Sequence, residues 1–226
     1  MKNKSKLVTS DQKHIHPDLE AIIARHKHFE FKKPLENSSI KAFDLFLNKL
    51  DQHLNKKTIF DLGCGTGEST FYLSQKYPDH LIVGVDKSES RLSRHKAFKK
   101  DPPRNLIFLQ CELIDFWLLA HRHRTQFELT KQYLLYPNPW PKQKLVKKRF
   151  HAHPLFETIL SLAAEFELRT NWKIYAEEFV FALKLYGWEG SEVENYHPQE
   201  FITNFEKKYF LSEHQLYKVQ VKKREA

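Results

Sequence analysis

Four carboxylates and three glycines are the residues in this chain whose types and spacing suit a small cationic ligand. Asp61 precedes Gly63, Gly65 and Gly67, Glu68 follows them at once, and Asp86 and Glu112 come later. Glycines at alternate positions allow a tight turn and let a ligand approach the backbone closely. A dinucleotide-binding loop spaces its glycines G-x-G-x-x-G and seats a pyrophosphate on a helix N-terminus. The spacing here is G-x-G-x-G, with an acid on either side. Two carboxylates repel a pyrophosphate. Asp86 stands roughly 20 residues beyond the glycines, a placement that suits a ribose with two free hydroxyls.

A ligand with an ammonium, a sulfonium and no phosphate satisfies these constraints, and S-adenosylmethionine is such a ligand. Glu112 is placed to accept from an adenine amino group. The plainer alternatives are a surface turn with incidental glycines and an ordinary loop carboxylate at Glu112.

A second group of residues lies further along. Pro137-Asn138-Pro139-Trp140-Pro141 has prolines at alternate positions, which can continue neither a central strand nor a helix. They hold Asn138 in a rigid, extended segment. A locked amide can present its carbonyl and its NH₂ to a planar base; the alternative is a turn whose Asn satisfies the backbone. Residues 140–156 contain no acid. Lys142, Lys144, Lys147, Lys148 and Arg149 are joined there by His151 and His153. Such a run is either a solvated face or a surface for phosphates.

These groups need a scaffold. Residues 58–60 read as a short strand, 71–73 as the start of a helix, and 81–85 as a buried parallel strand ending at Asp86. Ile40, Phe43, Leu47 and Leu50 recur at helical spacing, with Ser38 or Ser39 as N-cap. Asn55-Lys56-Lys57 is the turn into the first strand. Residues 87–100 read as a basic helix broken by Pro102-Pro103. Strands are expected at 106–109, 133–136, 167–171, 192–196 and 216–221, the last two antiparallel. Helices are expected at 113–123, 154–166 and along the stripe Trp172, Tyr175, Ala176, Phe179, Leu183, Tyr186, which Gly187 ends. In open parallel sheets ligands sit beyond the carboxyl ends of strands, where Asp86, Glu112, Asn138 and Asn171 all fall.

Residues 1–35 form a basic arm with one short helix at 19–24. Its first dozen residues are expected to be a solvated tail, with a phosphate-contacting arm as the alternative. Residues 36–226 form the folded domain. Hydrophobic residues make up 41% and charged residues 29%, as in a soluble globular protein. The formal charge of +9 points to an acidic partner such as nucleic acid. Cys64 and Cys111 lack metal-ligand spacing, so no metal is expected, and a reducing cytoplasm is the default location. Neither a membrane span nor a signal peptide is expected.

Between about residues 60 and 218 the chain resembles the tRNA (guanine-N7)-methyltransferase family. Leu135 to Lys142 is similar to the family's P-D-P-W-x-K segment, Thr170-Asn171 with Tyr175 to its T-D-x-x-x-Y segment, and Thr203-Asn204-Phe205-Glu206 to its T-K-F-E signature. The resemblance implies a Rossmann-like class I methyltransferase fold: α/β, with a mostly parallel seven-stranded sheet, helices on both faces and an antiparallel C-terminal edge strand. It implies S-adenosylmethionine at Asp61, Gly63, Gly65, Gly67, Asp86 and Glu112. Asn138, beside the donor, takes the place of a catalytic aspartate. Substrate would meet Lys142, Asn171, Thr203, Asn204, Phe205 and Glu206, with Glu206 accepting from guanine N1 and N2. RNA phosphates would meet Lys144, Lys147, Lys148 and Arg149. The implied partner is tRNA, the implied state monomer or homodimer. The chain departs from the pattern at Asn138 and Asn171, which replace acids, and at Asn204, which replaces a lysine.

Two other functions compete with this one. Asn138-Pro139-Trp140 is similar to the N-P-P-Y tetrad of enzymes that methylate amino groups. The acid-to-amide changes also suit a protein that binds donor and RNA with weak catalysis or none.

Overall fold

The structure, a computed structural model, describes residues 4–53, 56–94, 103–188 and 192–223. Seven strands order as β3-β2-β1-β4-β5-β7-β6. They are β1 (Lys57–Leu62), β2 (Leu81–Asp86), β3 (Leu106–Gln110), β4 (Glu128–Leu135), β5 (Glu165–Thr170), β6 (Glu194–Tyr196) and β7 (Leu216–Lys222). β1 pairs in parallel with β2 and β4, and β2 in parallel with β3. β6, at the edge, pairs antiparallel with β7. The chain divides into two compact units.

The glycine-loop unit comprises Lys33–Leu135 and Ser161–Phe166, with the last residues of the chain. Its helices are α2 (Asn37–Asp51), α3 (Glu68–Lys76), α4 (Glu89–Leu92) and α5 (Leu113–Arg122); α6 (Phe156–Ser161) belongs, all but its last residue, to the other unit. β2 is buried along its whole length and β1 everywhere but Lys57, as central parallel strands must be. Phe43, Phe46, Phe60, Phe116 and Phe127 pack ring against ring at centroid distances of 4.8–5.9 Å. Each such pair contributes about 0.5–1.5 kcal/mol beyond its buried area. α2 begins one turn earlier than its apolar spacing indicates, and Glu36, not a serine, stands at its N-cap. Only α4 represents the expected basic helix of residues 87–100; residues 95–102, with Lys96, Lys99, Lys100 and Pro102, lie outside the described residues, as do Asn55 and Arg224.

The basic-loop unit comprises Met1–Lys32, Tyr136–Leu160 and Glu167–Lys222. It contains α1 (Leu19–Lys27), α7 (Lys173–Leu185) and α8 (Asn204–Leu211), and short 3-10 turns at Gln143–Lys148 and Phe150–Ala152. α7 buries nearly every apolar position, and Gly187, at φ +78°, ends it. The expected solvated tail is packed. Lys4 pairs with Glu213 at 2.5 Å, the Ser5 N–H donates to Ser212 Oγ at 2.9 Å, and Gln12 is only 5% exposed. The physical reason is a buried carboxylate, Glu178, which draws polar partners from the N-terminal segment. Residues 4–32 thus belong to a folded unit and are not a separate arm. Among the described residues no helix is long and apolar enough to cross a membrane, and no cluster of His, Cys, Asp or Glu could hold a metal ion.

Candidate functional site

In the glycine-loop unit, β1 carries Asp61 opposite Gly84 of β2 and Tyr133 of β4. The chain then turns through Gly63, Gly65 and Gly67 at φ +73°, +61° and +83°. These are left-handed conformations that side chains other than glycine adopt at a cost. The Gly63 and Cys64 N–H groups donate to Val85 O at 2.7 and 3.0 Å, which folds the loop back on the end of β2. A Cβ at Gly63 or Gly65 would meet nothing within 4 Å, so the space above the loop is open.

Asp61 is 1% exposed. Its Oδ2 accepts from Ser69 Oγ and Thr70 Oγ1, each at 2.6 Å. Its Oδ1 is buried and has no partner. A buried unpaired carboxylate oxygen is costly unless something satisfies it. Burial raises its pKa to about 6; the two hydroxyls lower it, and Asp86 and Glu68 raise it further. A cation supplied to Oδ1 would relieve both the missing bond and the repulsion. This arrangement fits the ammonium and sulfonium of S-adenosylmethionine.

Asp86 is more fully engaged than its expected role requires. Oδ2 accepts from the Gly65 N–H at 2.9 Å, Oδ1 from the Ser88 N–H at 2.8 Å, and Arg91 Nη2 pairs with Oδ1 at 3.0 Å. The first bond ties the loop to β2, and the second closes the turn that follows β2. The Arg91 side chain is 41% exposed, so it is the partner that a ribose diol would displace. Glu112 proves to be the N-cap of α5: Oε2 accepts from the Ile114 and Asp115 N–H groups at 2.7 and 3.2 Å. A contact to adenine therefore falls to Oε1. Burial pushes the Cys64 thiol up, with Asp61 and Asp86 adding to the effect, and Cys111 up to about 11; neither is a nucleophile.

In the basic-loop unit, Asn138 is exposed, and its Oδ1 accepts from the Trp140 N–H at 3.3 Å. Two non-glycine residues flank it in left-handed backbone, Tyr136 at φ +53° and Trp140 at φ +46°. Conformations of this kind cost about 1–3 kcal/mol each and persist where surrounding bonds hold them. The bonds are present. Tyr136 donates its N–H to Arg169 O at 2.8 Å and its hydroxyl to Glu206 Oε1 at 3.0 Å. Trp140 O accepts from Arg149 Nε and Nη2 at 3.3 and 3.0 Å.

Three expectations change here. Arg149 is fully buried and does not face RNA. Its guanidinium pairs with Glu178 at 2.5 Å, donates to Gln12 Oε1 at 3.0 Å and lies over the Trp172 ring. His151 is also buried; desolvation lowers its pKa against the opposing pull of Glu178, 2.9 Å from Nε2, and the ring lies away from the basic surface. Burial alone would raise the Glu178 carboxyl, but His151 and Arg149 hold it down at about 2. Glu206 is buried, accepting from Tyr136, from Arg169 Nη1 at 2.8 Å and from the Ile202 N–H at 3.0 Å. Its carboxylate braces α8 and the Tyr136 corner, leaving little capacity for guanine N1 and N2. The reason is local: Thr203 caps α8 by accepting from the Glu206 N–H at 2.9 Å, which turns the Glu206 carboxylate back toward the Ile202 N–H just before the helix.

Lys142, Lys144, Lys147 and Lys148 are exposed, as are Asn204 and Phe205. Lys148 lies over the Trp140 ring at 4.6 Å. Asn171 Nδ2 is 3.1 Å from His214 Nδ1. Phe205 stacks on Tyr209 and Tyr209 on His214, at 6.0 and 5.2 Å. Ser69, Thr70, Gly84 and Arg91 escaped the sequence reading. Gly84 had a signal, a glycine inside a strand, which often marks close approach: a Cβ there would lie 2.5 Å from Thr70 Oγ1.

The family model Methyltransf_4, described as "Putative methyltransferase", matches residues 55–219. The tRNA (guanine-N(7)-)-methyltransferase of Bacillus cytotoxicus is 24% identical over 212 residues, covering 85% of this chain and 95% of that protein. The protein of the same name from Pediococcus pentosaceus is 26% identical, covering 73% of this chain and 79% of its own. Among solved structures, the 16S rRNA methyltransferase KamB superposes with TM-score 0.56 at 14% identity, covering 84% of this chain and 94% of that one. That likeness extends to the fold, a class I methyltransferase sheet. With its match spanning well over half of the sequence, the chain belongs to the Methyltransf_4 family of methyltransferases.

Proposed function

We propose that this protein methylates N7 of a guanosine in tRNA, using S-adenosylmethionine. The observation that carries the reading is the buried, partnerless Oδ1 of Asp61 beside a left-handed glycine loop, in a chain of a methyltransferase family. When bound, S-adenosylmethionine supplies an electrophilic methyl group on a sulfonium. Asp61 holds its cationic end, the backbone of Gly63, Gly65 and Gly67 lets it approach, Asp86 binds the ribose in place of Arg91, and Glu112 Oε1 accepts from adenine. The reading of the target is supported by the names of the relatives and by the segment Pro137 to Lys142.

Guanine N7 carries a lone pair and no proton, so no residue need act as a general base. What the protein supplies is position, worth up to ~7–11 kcal/mol when two reactants are held in line. Asn138 stands at the position of an aspartate in the family pattern. Its amide offers a dipole where a carboxylate would offer a full charge to the cation that forms on the purine, a weaker form of electrostatic stabilisation. Its bond to the Trp140 N–H leaves the Nδ2 hydrogens and a second carbonyl lone pair to meet a base. Lys142, Asn171, Thr203, Asn204 and Phe205 complete the substrate contacts, with exposed Phe205 the surface on which an unstacked base could rest. The protein works in the cytoplasm, as a monomer or homodimer.

The test compares nucleosides of tRNA from cells with and without the protein, alongside methyl transfer from labelled donor to bulk tRNA. N7-methylguanosine should fall in the deletion strain and carry the label in the assay. Label on an exocyclic amine, or donor binding with no transfer, would overturn the reading.

A further inference from the structure

Two depressions in the basic-loop unit share His16, Gln143 and Lys144 and so run into one another. The first, about 770 Å3, lies among Thr9, Ser10, Asp11 and Lys142. The second, about 530 Å3, continues past Arg25, His26 and Lys147. Sites for small molecules span ~300–1,000 Å3, but they are lined mainly by apolar and aromatic side chains. The first depression has no such lining, and the second has only Ala21, Ile22 and Val146. An open polar trough of this kind does not suit a metabolite. It suits an extended chain of anions.

We propose that the trough binds an RNA backbone, with phosphodiesters held by Arg25, Lys142, Lys144 and Lys147, and that the N-terminal segment is one of its walls. The naming of RNA rests on the methyltransferase reading above. Among the described residues none of these four cations is paired with an acid, and the acids facing the trough are Asp11 and Asp18. Crowding of like charge registers on His26, whose imidazole is depressed first by burial and then by Lys147 and Arg25. A polyanion relieves that repulsion.

Both walls are held in place by buried bonds. Glu178 Oε1 accepts from Gln12 Nε2 at 2.6 Å and from the His16 N–H at 2.9 Å, which fixes the N-terminal wall. Glu178 Oε2 pairs with Arg149, which fixes the wall that carries the lysines. Ser10 Oγ donates to Pro141 O at 2.5 Å and closes the span between them. A site ordered before its ligand arrives avoids the ordering cost of binding. Contacts to phosphate position a nucleic acid without reading its bases, so the trough contributes affinity and register, and the choice of nucleotide lies elsewhere.

The test is tRNA binding to the full-length protein by fluorescence anisotropy from 50 to 300 mM salt, as a concentration series on the order used to resolve counterion release. The double variant Arg25→Ala/Lys144→Ala is compared with Lys41→Ala/Lys76→Ala, which removes the same charge from the glycine-loop unit. Each lost phosphate contact lowers the salt slope by about 1. The trough variant should lose about 2 from the slope and on the order of tenfold or more in affinity at low salt, with donor binding unchanged; the control should lose far less. Equal losses in both variants, or no loss in the trough variant, overturn the proposal. Nucleoside analysis separates this from the functional reading. If wild type makes N7-methylguanosine while the trough variant binds tRNA normally, the trough is wrong and the activity stands. If the trough variant alone loses RNA and wild type makes no N7-methylguanosine, the trough stands and the activity is wrong.

Discussion

Replacing Asp61 with Asn separates the cost of the donor site from its use. In the folded protein the Asp61 carboxyl titrates near 6, against an ordinary value of 3.8. Between those values the unfolded chain has released its proton and the native chain has not, so stability falls as pH rises through this window. The full loss is present above about 6 and absent below about 4. A shift of roughly two units corresponds to about 3 kcal/mol. The Asp61→Asn variant carries no such titration. Its amide still accepts from Ser69 and Thr70, but its NH₂ has no partner, at a pH-independent cost of about 1–3 kcal/mol. The pH-dependent part therefore reports on the carboxylate alone. Stability relative to wild type should rise by about 3 kcal/mol between pH 4 and pH 8, measured by urea denaturation at closely spaced pH values. Over the same range, wild-type affinity for S-adenosylmethionine should weaken as pH drops through 6, because protonation removes the charge that holds the cation. The variant should bind weakly at every pH. A flat stability difference would refute the buried, repelled carboxylate, and unchanged donor affinity would refute its role.

Four further outcomes follow from the same geometry. Asn138→Asp keeps an oxygen for the Trp140 N–H and adds a charge for the purine cation, so donor affinity should hold and single-turnover methylation should stay equal or rise by up to about tenfold, ~1.4 kcal/mol; a collapse of turnover would count against Asn138. Arg149→Ala leaves Glu178 charged and buried, so denaturation should show a loss of about 3–5 kcal/mol, whereas a phosphate-contacting surface arginine would cost almost nothing. Gly84→Ala drives a methyl group into Thr70 and should lower stability by about 1–3 kcal/mol and weaken donor binding together, as calorimetry can check. Arg91→Ala frees Asp86 from a partly exposed ion pair worth about 0–1 kcal/mol, so donor affinity should tighten by up to about fivefold.

Where one physical pattern prevailed, the sequence was legible. Buried parallel strands are continuous apolar runs, so β1, β2 and β3 lay close to where Phe60, Val83 and Phe108 placed them. The glycine loop was visible because three left-handed positions in five residues leave few other choices of residue. Ends of helices were less so. Ser38 and Ser39 are good caps, but α2 starts at Asn37, because Lys33 and Asp115 form an ion pair at 2.6 Å and the Glu36 N–H donates to Asp115.

Residue type and spacing alone determined that this chain has an acid-flanked glycine turn on a parallel sheet, a proline-locked amide and a surplus of positive charge. Those features are local, set within a few residues by backbone sterics and formal charge. Which charges face water was decided only by tertiary structure. Arg149 and Lys148 are neighbours in one basic run, yet one is buried on Glu178 and the other lies at the surface. Glu178, Gln12 and Arg149 are far apart in the chain, and nothing short of folding brings them together. A buried carboxylate must find cations and donors wherever the fold supplies them, and by taking Arg149 and Gln12 it turns an expected loose tail into a wall.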